Sequence, residues 1–139
     1  MEKRLLQVCV TLAALVAVAA GMAGVFWGAG GLGEQAPGPL DSQFRALSGV
    51  LAAIGVAYWT TIPDIDRAGG RFGLLTLIVV AGGFARALGM LMAGPPDPAA
   101  GAALALELVA APGLYLWQAR IQRLAEMAPV LTAVDAAEG

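Results

Sequence analysis

The chain contains no histidine and a single cysteine, Cys9, among its 139 residues. Without histidine it lacks the side chain that most often shuttles protons near neutral pH, and also the usual zinc ligand. One cysteine excludes a disulfide framework, or a cysteine-built metal site, within one chain. Cys9 lies inside an apolar run and reads as a small hydrophobic side chain. Charge is scarce as well: 13% of residues are charged, 59% are hydrophobic, and the mean hydropathy is +0.77. A soluble domain could not cover its surface with so few polar groups. The net charge of −2 offers nothing to nucleic acid. Short segments of alternating hydrophobicity, the mark of a membrane β-barrel, are missing too.

What the sequence does have is long apolar runs. Leu5–Trp27 is 23 residues without a charge and Ala46–Pro63 is 18. Phe72–Gly94 carries only Arg86, and Ala99–Ala119 carries only Glu107. Each run approaches the ~20 residues that a helix needs to cross a ~30 Å hydrocarbon layer. The fold class expected is all-α: a four-helix transmembrane bundle, up-down-up-down, with helices at about 5–28, 43–62, 71–93 and 99–122. Residues 1–125 then form one membrane domain, and the Ala-rich, acidic 126–139 a loose cytoplasmic tail. The start MEKR followed by an apolar run also fits a secretory signal peptide. The run continues to Trp27, long for a signal core, so a retained first helix is the reading adopted.

Basic residues set the expected orientation. Lys3 and Arg4, Arg67 and Arg71, and Arg120 and Arg123 all fall on one side if the chain crosses four times. The other side holds Glu34, Asp41 and Asp97, with Arg45 at its boundary. The positive-inside rule then places both termini in the cytoplasm. Trp27, Trp59 and Trp117 lie toward helix ends, where interfacial anchors are found. The localisation implied is that of a multi-pass integral membrane protein.

The loops carry weak motifs. Gly28, Gly30 and Gly33 match G-x-G-x-x-G, but that fingerprint works between a buried strand and a helix, and a membrane helix precedes it here. A flexible, irregular loop is the better reading. Asp41 or Ser42 is positioned to cap the second helix. Asp64 and Asp66 are too few for a metal site, and capping the third helix or pairing with Arg67 and Arg71 suits them better. Pro112 should kink the fourth helix, since it cannot donate to the carbonyl of Leu108. Ala13, Ala17, Gly21, Gly24 and Gly28 form a small-residue stripe on the first helix, suited to close helix packing.

Two intramembrane charges raise the functional question. Arg86 stands eight residues before Gly94, and Glu107 eight after Ala99, so each lies ~12 Å below the outer boundary. On adjacent antiparallel helices they come level, and each relieves the ~2.5–3.5 kcal/mol cost of an unpaired charge at that depth. Gly82, Gly83 and Gly89 leave room beside Arg86. Arg45, ~6 Å below the same boundary, could rise to water or reach toward Glu107, with Ser48 and Gly49 on its face. Two guanidinium groups and one carboxylate would leave +1 for Asp41, four residues before Arg45, or for an anion to balance. Arginine's planar fork suits carboxylate or phosphate.

The segments RALSGVLAAIGVAYW, PDIDRAGGRFG, GGFARALGM, GPPDP and ALELVAAPGLYLWQ, in that order, carry a resemblance. Over residues from about 40 to 123 the chain resembles the domain of unknown function 4345 family of small bacterial four-helix integral membrane proteins. The first helix matches only as a hydrophobic span. The resemblance implies the fold and a recurring polar pattern: Arg45, Ser48 and Gly49; Gly82, Gly83 and Arg86; and Glu107. It implies no activity.

Three functions follow. The Arg/Glu cluster, buried in the outer half of the bundle, either fixes helix packing in a structural or accessory protein, or floors an outward-facing pocket. The pocket's ligand-binding residues would be Arg45, Ser48, Arg86 and Glu107, with Gly49, Gly82, Gly83 and Gly89 packing around them. Its ligand would be a small anionic or amphipathic molecule or a lipid headgroup. A small anion transporter is the third reading, and proton exchange is disfavoured because an arginine stands beside the glutamate. No reaction suggests itself without a nucleophile–base pair, so an enzyme is not expected. No cofactor is implied. Membrane lipids are the expected partners, and the glycine stripe leaves homo-oligomerisation open.

Overall fold

The structure, a computed structural model, describes residues 1–33, 37–94 and 98–138, and their side chains except at 32, 93 and 129–138. Glu34, Asp97 and the turn at Pro95 and Pro96 lie outside the described residues. Every regular element among those described is helical. The elements are α1 (Glu2–Trp27), a short 3₁₀ turn (Ala29–Leu32), α2 (Gly38–Trp59), α3 (Gly69–Ala93) and α4. The last is continuous but not uniform: α-helical over Pro98–Ala105, π-helical over Leu106–Ala110, and α-helical again over Ala111–Glu138. The segment 126–139, expected to be a loose tail, is thus helical backbone through Glu138. Its alanines favour helix, although Pro129 within it does not.

Three helices are long and apolar enough to cross a membrane: Glu2–Trp27, Gly69–Met92 and Pro98–Ala128. Their large side chains point outward, with Leu12, Val16, Leu77, Leu91 and Leu116 all exposed, as a lipid-facing surface requires. The helix α2 falls short of the expected fourth long span. It begins earlier than expected, behind Pro37 with Pro39 in its first turn, a position that suits proline's fixed φ. Its first two turns therefore hold Asp41, Gln43 and Arg45. It also ends early, at Trp59, where the Thr60 and Thr61 hydroxyls donate to the carbonyls of Ala57 and Tyr58 and Pro63 follows. Between these limits Ala46–Trp59 is about 21 Å of apolar helix.

Residues 1–125, read from the sequence as one domain, divide by their contacts into two compact units. The first to consider is 7–63, an antiparallel hairpin of α1 and α2. Glycines on both helices set its spacing. A Cβ on Gly21 would stand 2.5 Å from the backbone nitrogen of Ala52 and 2.6 Å from the carbonyl oxygen of Ser48. On Gly55 it would stand 2.8 Å from the carbonyl oxygen of Ala14. Gly24 lies against the Ser48 side chain, which is buried. At one end of the hairpin Gln7 Nε2 donates to the Ile62 carbonyl at 2.8 Å. At the other, Gly28 adopts a positive φ of 60° beside Asp41 and Arg45.

The other unit joins 1–6 to 64–139. Here α3 and α4 run antiparallel, with Gly69 against Gln122, Gly73 against Tyr115 and Gly83 against Leu108. Phe72, Leu75, Thr76, Gln118 and Ile121 are buried along the seam, with Leu6 and Ile65 at its end. Gln118 Nε2 donates to the Ile65 carbonyl at 2.8 Å, tying α4 to the turn before α3. Lys3 Nζ donates to Asp66 Oδ1 at 2.8 Å and ties the start of α1 to the same turn. Asp66 therefore does not cap α3, and its ion pair is with Lys3 while Arg67 is a weaker electrostatic neighbour. The cap of α3 is Ala68, which has no side-chain bond to offer, and Asp66 pairs with Lys3.

The Lys3 hydrogen bond holds the Asp66 carboxyl below its ordinary value of 3.8, against the opposing effect of partial burial. A carboxylate with a lowered folded pKa contributes stability that is complete above 3.8 and lost as pH falls through the folded value. In detergent, acid titration of stability should therefore show a loss below 3.8 that is smaller in Asp66→Asn. Identical acid limbs would show that the pair contributes nothing.

Candidate functional site

The candidate site is the meeting of Arg86 on α3 with Glu107 on α4. Arg86 Nε donates to Glu107 Oε2 and Nη2 donates to Oε1, both at 2.9 Å. This is the paired-fork geometry in which arginine grips a carboxylate most strongly. Local backbone features make it possible. Gly83, one turn before Arg86, is buried, and a Cβ there would stand 2.9 Å from Glu107 Cβ and 2.7 Å from Leu108 Cδ2. The absent side chain lets α4 approach closely enough for the fork to close.

Glu107 itself lies on the π-helical turn Leu106–Ala110, where the Ala111 N–H donates to the Leu106 carbonyl, five residues back. Pro112 follows directly. Its ring would clash with the Leu108 carbonyl in a regular α-helix, and widening the preceding turn relieves the clash. The kink expected at Pro112 is thus resolved as a wide turn that carries the glutamate.

The pair is present but the expected burial is not. Side-chain exposure is 39% for Arg86 and 18% for Glu107. The buried seam of α3 runs through Phe72, Leu75, Thr76 and Gly83, and Arg86 stands to one side of that line. The ion pair therefore lies on the flank of its hairpin and not within a core.

Arg45 has a separate set of partners within its own hairpin. Its Nε donates to Asp41 Oδ2 at 2.7 Å, and its Nη1 donates to the carbonyls of Val25 at 2.6 Å and Phe26 at 3.0 Å. Those are carbonyls of the last turn of α1, which a cation favours. Asp41 Oδ1 accepts from the Ala29 N–H at 2.9 Å. The Arg45 and Ala29 hydrogen bonds hold the Asp41 carboxyl below its usual value. Asp41 thus joins the two helices instead of capping α2. Gly28 sits against both side chains, where its positive φ turns the chain off α1.

Ser48, expected to line a pocket, is buried and donates to the Phe44 carbonyl at 2.8 Å, four residues back in its own helix. Of the four glycines expected around the cluster, Gly83 makes the close contact just described. Gly49 has ordinary contact with Val25, and Gly82 and Gly89 meet no described atom where a Cβ would stand. Among the described residues no three of Cys, Asp and Glu come together to hold a metal.

The reading from sequence missed the tie between Gln118 and the Ile65 carbonyl. Its signal was available: Gln118, Gln122 and Glu126 recur every four residues along one side of α4. Gln118 Nε2 donates to Gln122 Oε1 at 3.2 Å and Gln122 Nε2 to Glu126 Oε1 at 2.9 Å. It also missed Lys3–Asp66, a contact too distant in sequence for local spacing to show.

Helical hairpins closed by glycine contacts, three helices able to cross a membrane and an arginine–glutamate pair on the last two define a small helical membrane protein. The chain belongs to the family described as Domain of unknown function (DUF4345), whose model matches residues 5–118. The match takes in α1 as well as the segments that carry the resemblance. Neither the curated proteins nor the solved structures give a match.

Proposed function

We propose that this chain is a non-enzymatic, multi-pass protein of a bacterial cytoplasmic membrane, a structural or accessory component built from two clasped hairpins. Four helices cross and both termini are cytoplasmic. The α1–α2 contacts run from Gln7–Ile62 to Gly28–Asp41, so a crossing by α1 carries α2 back with it. The basic residues Lys3, Arg4, Arg67, Arg71, Arg120 and Arg123 supply the orientation.

One observation carries the functional reading. Arg86 and Glu107 satisfy each other through two hydrogen bonds, from positions at equal depth on neighbouring helices. A charged pair so matched fixes the register of α3 against α4. Arg45, held by Asp41 within α2, ties α2 to α1 through the carbonyls of Val25 and Phe26. A second reading rests on the 39% exposure of Arg86: an anionic or amphipathic ligand, or a moving anion, could exchange with Glu107 there.

Exchanging the charges, Arg86→Glu with Glu107→Arg, tests the choice. A register clasp should survive, with thermal stability in detergent close to wild type and each single exchange much weaker. If the double exchange folds normally but loses a small molecule that native mass spectrometry finds on the wild type, the second reading replaces the first.

A further inference from the structure

We propose that the far end of α4 carries a binding site for an anionic phospholipid, with Arg120 and Arg123 receiving the headgroup phosphate. A cavity of about 250 Å³ lies there, lined by Leu116, Ala119, Arg120, Arg123, Leu124 and Met127. These positions recur at three- and four-residue steps, so they share one face of the helix. The face is apolar except for the two guanidinium groups. Leu116, Leu124 and Met127 are all exposed on it.

Both arginines have charge to spare. Arg123 has no hydrogen-bond or ion-pair partner among the described residues. Arg120 has Glu2 Oε1 at 3.7 Å, beyond hydrogen-bond reach, and its side chain is 68% exposed. Glu126, the nearest acidic residue on α4, lies to the side of the face, where it accepts from Gln122. Asp66, at the neighbouring turn, is paired with Lys3. The same end of this unit carries Arg4, Arg67 and Arg71, all exposed, so the surrounding field is positive.

Depth agrees with charge. The candidate span of α4, Pro98–Ala128, has 31 residues and is about 46 Å long, well beyond a ~30 Å hydrocarbon layer. Counted from Pro98, that layer ends near Gln118, about half a turn short of Arg120 and about one and a half turns short of Arg123. Arg120 and Arg123 then stand at the level of the phosphates, with Leu116 at the edge of the acyl chains. A phosphate diester bearing two acyl chains matches this arrangement, because two forks grip its oxygens while the apolar wall continues into lipid. The occupant is thus a membrane lipid with a net negative headgroup.

This inference rests on the membrane reading and is independent of the Arg86–Glu107 clasp. Its test uses the full chain in vesicles of phosphatidylcholine alone and of mixed phosphatidylglycerol and phosphatidylcholine. Trp117 adjoins the face, so quenching of its fluorescence by brominated acyl chains, with Trp27 and Trp59 replaced by Phe, reports which lipid sits there. Brominated phosphatidylglycerol should quench several-fold more than brominated phosphatidylcholine at equal content, and salt should weaken the preference. In Arg120→Gln/Arg123→Gln the preference should fall to near one with the helical circular dichroism unchanged.

Equal quenching in wild type overturns the site, as does an undiminished preference in the double variant. If the double variant fails to fold, the salt dependence and headgroup preference of wild type decide the matter alone. A preference that disappears because a wild-type dimer, seen by cross-linking, covers the face also overturns it. Failure of the chain to enter either vesicle would instead refute the membrane reading.

Discussion

Glu107→Gln should destabilise the protein by about 2–3 kcal/mol, because it removes the carboxylate that accepts two Arg86 hydrogen bonds. The reverse change, Arg86→Gln, should cost a similar amount. Removing both charges should cost less than the two single changes together, since each single change already removes the same two bonds. A coupling of about 1–3 kcal/mol in this double-mutant cycle is the expected signature of an ion pair. The measurement is reversible unfolding in mixed detergent–dodecyl sulfate micelles, followed by circular dichroism. The partial exposure of Arg86 keeps the expected loss below that of a fully enclosed pair. Strict additivity would mean that the two 2.9 Å bonds contribute no net stability.

The larger effect is expected at Gly21. Valine there places a branched carbon where backbone atoms of Ala52 and Ser48 already stand at 2.5 and 2.6 Å. Backbone cannot swing aside as a side-chain tip can, so the helices must part along their length. Overpacking of this kind commonly costs about 1–3 kcal/mol. Here two main chains collide, so Gly21→Val should abolish the α1–α2 hairpin, read as loss of a disulfide cross-link engineered between its two helices. Gly82→Ala is the control. With no described neighbour at its Cβ position, it should be neutral or gain up to about 1 kcal/mol from helix propensity. A Gly21→Val protein with an intact hairpin would refute the close-packing account.

Much of this architecture was legible because lipid imposes simple rules. Apolar runs fixed the helices, and the depth of two charges relative to a shared turn fixed the Arg86–Glu107 contact. What could not be read was anything depending on how the helices turn about their axes. Spacing put Arg45 within reach of Glu107, yet its guanidinium is engaged by Asp41 and the carbonyls of Val25 and Phe26. Free carbonyls at a helix end compete for any nearby arginine, and a sequence does not show which end will be close. The ends of α2 were misplaced for a related reason. Proline can open a helix, and threonine hydroxyls can close one, without interrupting an apolar pattern. Burial of the pair failed too, since equal depth does not say which flank of a hairpin a side chain occupies.

The π-turn at Leu106–Ala110 has a mechanical consequence. A widened turn next to a proline is the most compliant point of an otherwise stiff rod, so α4 behaves as two levers with a coupling between them. The upper lever is held at Glu107 and the lower one at Gln118, by the Ile65 carbonyl. Any bending of α4 between those two grips would fall at this turn and leave both of them in place.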